Sequence, residues 1–251
     1  MERTAERNIP DVVVARVSAV LGAFDERHPS LRVSEISRRA GLPMSTTSRL
    51  VAELVAYGFL DRTGSSLRIG VRLSEFGELA ARQRGLPAIA LPFMADLREA
   101  TGQSVHLAVL DGAEVVYLES LPGGTGPRMP SEVGGRLPAH ACAVGKALLA
   151  YGDAAAVDLV CSGLMTAIGP RTVTAPAALR RHLEHVRECR LAYQSEESGP
   201  GIDCVAGAIL HADGRPAAAI SVSGRTGRLN PRSIGPAVRT VALAIGRTLQ
   251  P

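Results

Sequence analysis

The sequence predicts an α+β chain in two parts, and three observations carry that reading. Residues 31–70 run in the order helix, tight turn, helix, hairpin. One amphipathic helix then covers 71–84 and stops at Gly85 and Pro87. Beyond it, two Asp-Gly turns, Asp111-Gly112 and Asp213-Gly214, each separate apolar runs of strand length, and helical stretches bracket both. Hairpins bracketed by helices give an antiparallel sheet with helices packed around it.

Residues 1–9 are polar and read as a frayed start. From Asp11, the run Val12 to Phe24 reads as a helix, because its length and the Pro10-Asp11 start outweigh its β-branched residues. Val33-Ser-Glu-Ile-Ser-Arg-Arg-Ala-Gly41 is a second, short helix, with Ser34 as its cap and Ile36 and Ala40 on one face. Gly41 suits the left-handed position that ends a helix, and Pro43 suits the first turn of the next. That third helix, Leu42 to Tyr57, repeats Leu50, Leu54 and Tyr57 at core spacing. Gly58-Phe-Leu-Asp-Arg62, a turn at Gly64-Ser-Ser66 and Leu67-Arg-Ile69 complete a two-stranded wing. This is the order of a winged helix-turn-helix, placed at residues 8–70.

The third helix opens with Met44, Ser45, Thr46, Thr47, Ser48 and Arg49. Short hydroxyls and a fork-shaped cation bond phosphates and base edges when a helix start enters the major groove of double-stranded DNA. Ser34 and the wing residues Arg62 and Arg68 complete the candidate DNA contacts. Charge agrees: residues 1–85 hold 13 basic and 10 acidic groups, and the remainder 15 and 14, for a net charge of +4. That suits a sequence reader making a few phosphate contacts better than a polyanion coat. A second reading uses the helix-turn-helix for protein contacts alone. Salt dependence separates the two, because phosphate contacts weaken steeply as salt rises.

The 251 residues are 46% hydrophobic but only 3% aromatic, so the cores must be built from Ala, Val and Leu. Lys146 is the sole lysine among 28 basic residues, a bias read as genomic. Cys142, Cys161, Cys189 and Cys204 have no CxxC or Cys/His ligand spacing. With no signal peptide or spanning apolar run, the expected setting is the cytoplasm with reduced thiols, and no membrane partner.

In the second part, Val71 to Arg84 is the linker helix (71–85), with an apolar stripe of Leu73, Phe76 and Leu79 or Ala80 available to a second subunit. Leu86 to Thr101 is a helix carrying Phe93, Met94 and Leu97. Strands Gln103–Leu110 and Ala113–Glu119 flank the first Asp-Gly turn, which sets His106 across from Tyr117. A single histidine on a strand is most simply a structural residue. A loop at 121–127 and a strand within 128–136 follow. Helices are expected at the start of 142–150, at 153–161 and at 176–190. Strands Val205–Leu210 and Pro216–Ser223 flank the second turn, and a last helix runs from Pro231 to Leu249.

Four motifs resemble the IclR family of bacterial transcription regulators. They are Ala40 to Val51; Gly135-Arg-Leu-Pro-Ala-His-Ala-Cys-Ala-Val-Gly-Lys-Ala-Leu-Leu-Ala150; Glu196-Glu-Ser-Gly-Pro-Gly-Ile-Asp-Cys-Val-Ala206; and Ala218 to Gly224. They lie in family order behind a winged helix and span most of the chain. The resemblance implies a GAF-like effector-binding and oligomerisation domain at 86–251, assembly as a homodimer or homotetramer, and operator binding controlled by an organic or aromatic acid.

The residues themselves support such a site. Ser221 and Ser223 lie two apart on a strand, so both hydroxyls face one side of the sheet. Counting through the second turn places Cys204 across from Ser223. The amides of Ala143 and Val144, at a helix start, are unpaired within their helix and favour an anion. Family positions matching Ala143, Val144, Cys204, Ser221 and Ser223 line the effector site. The family often has acidic residues just before the Glu-Glu pair; here Gln194 and Ser195 stand there, so the effector's far end is expected to meet a neutral amide.

Catalysis is disfavoured. His140 near Cys142, or Cys204 alone, lacks an oriented third group. His140, Cys142 and His211 are too scattered for a metal, and the glycines at 123–126 lack P-loop spacing and its lysine. No cofactor is expected.

Overall fold

The structure, a computed structural model, describes residues 12–25, 27–124 and 133–249. The polar start, the Pro10-Asp11 helix signal and residues 128–132 of the expected strand lie outside these. The chain divides into two compact units, Met1–Gln83 and Arg84–Pro251.

In the first unit, α1 (Val13–Leu21), α2 (Val33–Ala40) and α3 (Met44–Ala56) enclose Val20, Ile36, Leu50, Val51 and Leu54. Leu60 of β1 (Leu60–Thr63) and Leu67 of β2 (Ser66–Ile69) close this core, and Leu31 exchanges backbone hydrogen bonds of 2.9 and 2.8 Å with Leu67. Gly41, at φ 65°, turns the chain from α2 into α3, a backbone state that glycine enters without steric cost.

Two expectations need correction. Ser34 is not the cap of α2. The helix starts one residue earlier, and the Glu35 carboxylate reaches back to accept the Arg32 N–H at 2.7 Å. Tyr57 is not a core residue: α3 ends at Ala56, and the ring is 64% exposed. Thr47, Leu50, Val51 and Leu54 take the buried face instead, at the spacing of one helical stripe. The stripe of α4 (Val71–Arg84) is open, with Leu73 half-buried and Phe76 and Leu79 exposed. Phe76 stacks on Phe59 at 6.0 Å between centroids, and the Arg72 guanidinium lies 5.3 Å from the centre of the Phe59 ring.

The second unit begins with α5 (Leu86–Thr101), the hairpin β3 (Ser104–Asp111) and β4 (Glu114–Leu121), and the short β5 (Arg136–Pro138). A 3₁₀ turn at Ala139–Ala141 leads into α6 (Ala143–Tyr151), followed by α7 (Ala154–Ser162) and α8 (Pro176–Cys189). β6 (Ala192–Ser195), β7 (Ile202–Leu210), β8 (Pro216–Arg225) and α9 (Pro231–Thr248) complete the unit. The six strands form one antiparallel sheet in the order β5-β4-β3-β8-β7-β6.

Alternation along the strands sorts residues to two faces. Tyr117, Cys204, Ala206 and Ala219 pack under α6, α7 and α8 with Leu148 and Leu183. Val105, Leu107, Val205, Ile220 and Val222 pack on the other face against α5 and α9. Small strand residues therefore meet the face that carries α6.

The second hairpin keeps the expected pairing of Cys204 with Ser223, although next to the turn a bulge at Ile209/Leu210 sets Leu210 against Pro216. The first does not. Asp111 pairs with Glu114, so the turn is Gly112-Ala113, and a bulge at Leu107/Ala108 places His106 opposite Ser120. The His106 and Tyr117 rings still meet edge-on, 5.7 Å apart, because the bulge re-aims the strand. Among the described residues, no helix is long and apolar enough to cross a membrane.

Candidate functional sites

In the first unit, α3 divides its opening turns cleanly. Met44, Ser45, Ser48 and Arg49 are exposed and Thr46 is half-buried. Thr47 departs from the expected set: it is buried, and its hydroxyl donates to the Pro43 carbonyl at 3.0 Å. It ties the helix start to the core and faces away from any partner. Ser45, Ser48 and Arg49 are spaced i, i+3, i+4 and share the outward face. On the wing, Arg62 and Arg68 are both exposed; Arg68 lies opposite Asp61 and pairs with it at 3.5 Å, which partly offsets its charge. Ser34 is exposed in the first turn of α2.

In the second unit, the sheet face beneath α6 carries two rows of residues. Ser104, Ser223 and Cys204 are successive neighbours across β3, β8 and β7; His106, Ser221 and Ala206 form the next row. Ser104, His106, Cys204, Ser221 and Ser223 are all buried, and α6 packs across the three strands. The helix starts at Ala143 after Cys142, with no side-chain cap. Among the described residues the amides of Ala143 and Val144 have no acceptor, although both residues are buried. A buried, uncapped helix start leaves N–H groups seeking an anion or another acceptor. The structure thus brings Ala143, Val144, Cys204, Ser221 and Ser223 together.

Gln194 is a different case. Its amide oxygen accepts the N–H groups of Glu197 and Ser198 at 2.8 and 3.3 Å, and its nitrogen donates to Ser198 Oγ and the Ile202 carbonyl at 3.1 and 3.4 Å. The side chain borders a cavity of about 400 Å³ beside β6, also lined by Arg171, Tyr193 and Arg232. Its hydrogen bonds hold its own loop, and on β6 it stands opposite Cys204, at the end of the Ser104–Ser223–Cys204 row.

The Cys142 and Cys204 thiols are protonated at neutral pH. Burial pushes Cys142 up to about 12, opposed by the Gly145 N–H, and pushes Cys204 up to about 11, opposed by the Ser223 and Ser221 hydroxyls. His140 does not engage Cys142: its Nε2 faces the Thr166 carbonyl at 3.1 Å, and the Cys142 thiol lies 3.6 Å from the Pro138 carbonyl instead. Among the described residues, no group of three His, Cys, Asp or Glu side chains could hold a metal ion.

Residues 13–64 match the model of the IclR helix-turn-helix domain, and residues 79–247 match that of the bacterial transcriptional regulator IclR C-terminal domain. The chain belongs to the IclR family of bacterial transcriptional regulators. It is 32% identical to the HTH-type transcriptional regulator XynR of Escherichia coli over 94% of this chain and 96% of that one. It is also 32% identical to the HTH-type transcriptional repressor AllR of Klebsiella pneumoniae, over 92% and 87%. Among solved structures, an IclR homologue from Microbacterium hydrocarbonoxydans complexed with 4-hydroxybenzoate superposes with a TM-score of 0.84 at 32% identity, covering 94% of this chain and 98% of that one. The relatives are named as regulators and repressors, so this IclR-family chain is a DNA-binding regulator of transcription and not an enzyme.

Two features of this IclR-family site escaped the sequence. Lys146 lies buried in α6, and its ammonium donates to Glu197 Oε1 at 2.7 Å and to the Tyr193 carbonyl at 3.1 Å. The pair ties α6 to β6 and the Glu-Glu loop. A usable signal existed: a lone lysine inside Ala143-Val-Gly-Lys-Ala-Leu-Leu-Ala150, apolar on every side, needs a buried partner. The other is Gly145, where a Cβ would sit 2.2 Å from the Ala139 carbonyl oxygen. Gly145→Ala must therefore push the start of α6 off the 3₁₀ turn. The expected cost is about 1–3 kcal/mol or more in thermal unfolding, with weakened acid binding.

Proposed function

We propose that this regulator's hold on its DNA operator is set by a small carboxylic acid bound between the start of α6 and the Ser221–Ser223 face of the sheet. The observation that carries this reading is the buried, uncapped N-terminus of α6 above two buried serine hydroxyls and a neutral thiol. Amide N–H groups and hydroxyls together are a donor set for a carboxylate. That a structural neighbour holds 4-hydroxybenzoate, an aromatic carboxylate, supports the same class. The exposed face of α3 reads the operator in the major groove, with Arg62 and Arg68 of the wing on the backbone. The protein acts in the cytoplasm as a homodimer or homotetramer, its α4 stripe meeting a second subunit. Acid binding shifts the subunit arrangement, and with it the spacing of paired α3 helices, because two half-sites demand a fixed spacing.

Fluorescence anisotropy with labelled DNA from upstream of the protein's own gene tests this. Saturable binding that survives unrelated competitor DNA, falls as salt rises and responds to an acid is the expected result. Absence of DNA binding by folded protein at low salt would favour the protein-contact role. Ser221→Ala/Ser223→Ala is expected to weaken acid binding at least about tenfold, since each hydrogen bond to a charged group contributes about 1.5–3 kcal/mol. Operator affinity without acid should stay unchanged.

A further inference from the structure

We infer that the effector carries a hydroxyl beside its carboxylate, and that the His106 ring reads that hydroxyl; this rests on the carboxylate site proposed above. His106 stands directly opposite Ser221 on the neighbouring strand, one row from the Ser104–Ser223–Cys204 line, on the sheet face that α6 covers. It is 2% exposed, and its ring meets the edge of Tyr117. Among the described residues its ring nitrogens have no hydrogen-bond partner, whereas the Ser104 hydroxyl, two residues back, accepts the Gly123 N–H at 3.0 Å. A polar ring this deep in a core ordinarily has a partner, and one that borders a ligand site can find it in the ligand.

The ring's charge state narrows the class. Burial alone pulls its pKa down to about 4, so it is neutral at physiological pH, with one N–H donor and one bare acceptor nitrogen. A hydroxyl can give or take a proton, and so matches either nitrogen without bringing charge into a dry site. An apolar group would leave the ring unpaired. A second carboxylate could accept the ring N–H, but it would bring an uncompensated charge into a dry site whose amide and serine donors already serve the first.

Calorimetric titration of the full-length protein tests this with two matched pairs, 4-hydroxybenzoate with benzoate and lactate with propionate. In at least one pair the hydroxy acid should bind about tenfold tighter or more, since a site built around a hydrogen bond rejects the analogue lacking it. His106→Phe should bring that pair within about twofold by weakening the hydroxy acid alone, and His106→Gln should keep most of the preference. Should the Phe variant fail to fold, ¹⁵N-histidine spectra of the unaltered protein give the same answer: the His106 ring signals move with the hydroxy acid and not with its partner. Equal affinities within both pairs, or a preference that survives in His106→Phe, overturn the inference and leave the carboxylate site standing. Binding of none of the four acids by folded protein overturns both.

Discussion

Lys146→Met is expected to lower the melting temperature of the second unit by roughly 10 °C or more. Lys146 is 1% exposed, and its ammonium is satisfied by Glu197 Oε1 and the Tyr193 carbonyl. Replacing it strands the Glu197 carboxylate, whose second oxygen is already buried with no partner among the described residues. Removing one member of a buried pair costs about 3–5 kcal/mol, most of it the penalty of the charge left behind. For a unit of this size, each kcal/mol lowers the melting temperature by roughly 2–4 °C. The double variant Lys146→Met/Glu197→Leu removes both charges and should recover much of the loss, and calorimetry of the two single variants and the double gives the coupling directly. A single variant that melts within about 2 °C of the original would show that water reaches the pair. The consequence extends to function, because Lys146 lies one turn from Ala143 and Val144 on α6. A loosened α6 presents its amides less rigidly, so acid binding should weaken together with stability.

The contrast between that pair and the serines explains what could be read from the chain beforehand. Ser221 and Ser223 fall on one face through the two-residue period of a strand, and Cys204 stands opposite Ser223 because a bulge at Ile209/Leu210 offsets a turn one residue longer than Asp213-Gly214 alone. The same logic set His106 against Tyr117 and missed, because a bulge at Leu107/Ala108 and a turn centred one residue later move the register. Bulges leave little mark in a single sequence. β6 is four residues long, and only its place at the sheet edge beside β7 makes it a strand. The Lys146–Glu197 contact spans 51 residues, so no periodicity connects its two ends. The Gln194 hydrogen bonds were hidden for a similar reason: its partners, Glu197, Ser198 and Ile202, are set by a loop closing on itself. Helix ends proved finer still. Ser34 has the right chemistry for a cap, but Glu35 already satisfies the Arg32 amide, so the helix begins before it.

Arg49→Ala is expected to weaken operator binding by about 1–3 kcal/mol, roughly 5- to 150-fold, while leaving folding and acid binding intact. The argument begins with which side of α3 is free. Thr47, Leu50, Val51 and Leu54 are buried, so the helix has one orientation in its unit, and Ser45, Ser48 and Arg49 must face outward. Among the described residues Arg49 has no ion-pair partner, and its guanidinium keeps all its donors for the operator. An exposed residue without packing contributes little to stability, so melting should shift by less than about 0.5 kcal/mol in free-energy terms. Arg49→Lys separates the two ways the arginine can act. A phosphate contact tolerates lysine and keeps the salt slope, whereas a bidentate contact to a guanine edge loses its fork and with it the preference for the operator over unrelated DNA. Thr47→Ala provides the opposite control: it deletes a buried hydroxyl bonded to the Pro43 carbonyl, so it should cost stability first and operator affinity only through the helix it unsettles. If Arg49→Ala bound the operator with unchanged affinity and salt slope, the exposed face of α3 would not be the reading face. The wing arginines Arg62 and Arg68 would then have to carry the contact.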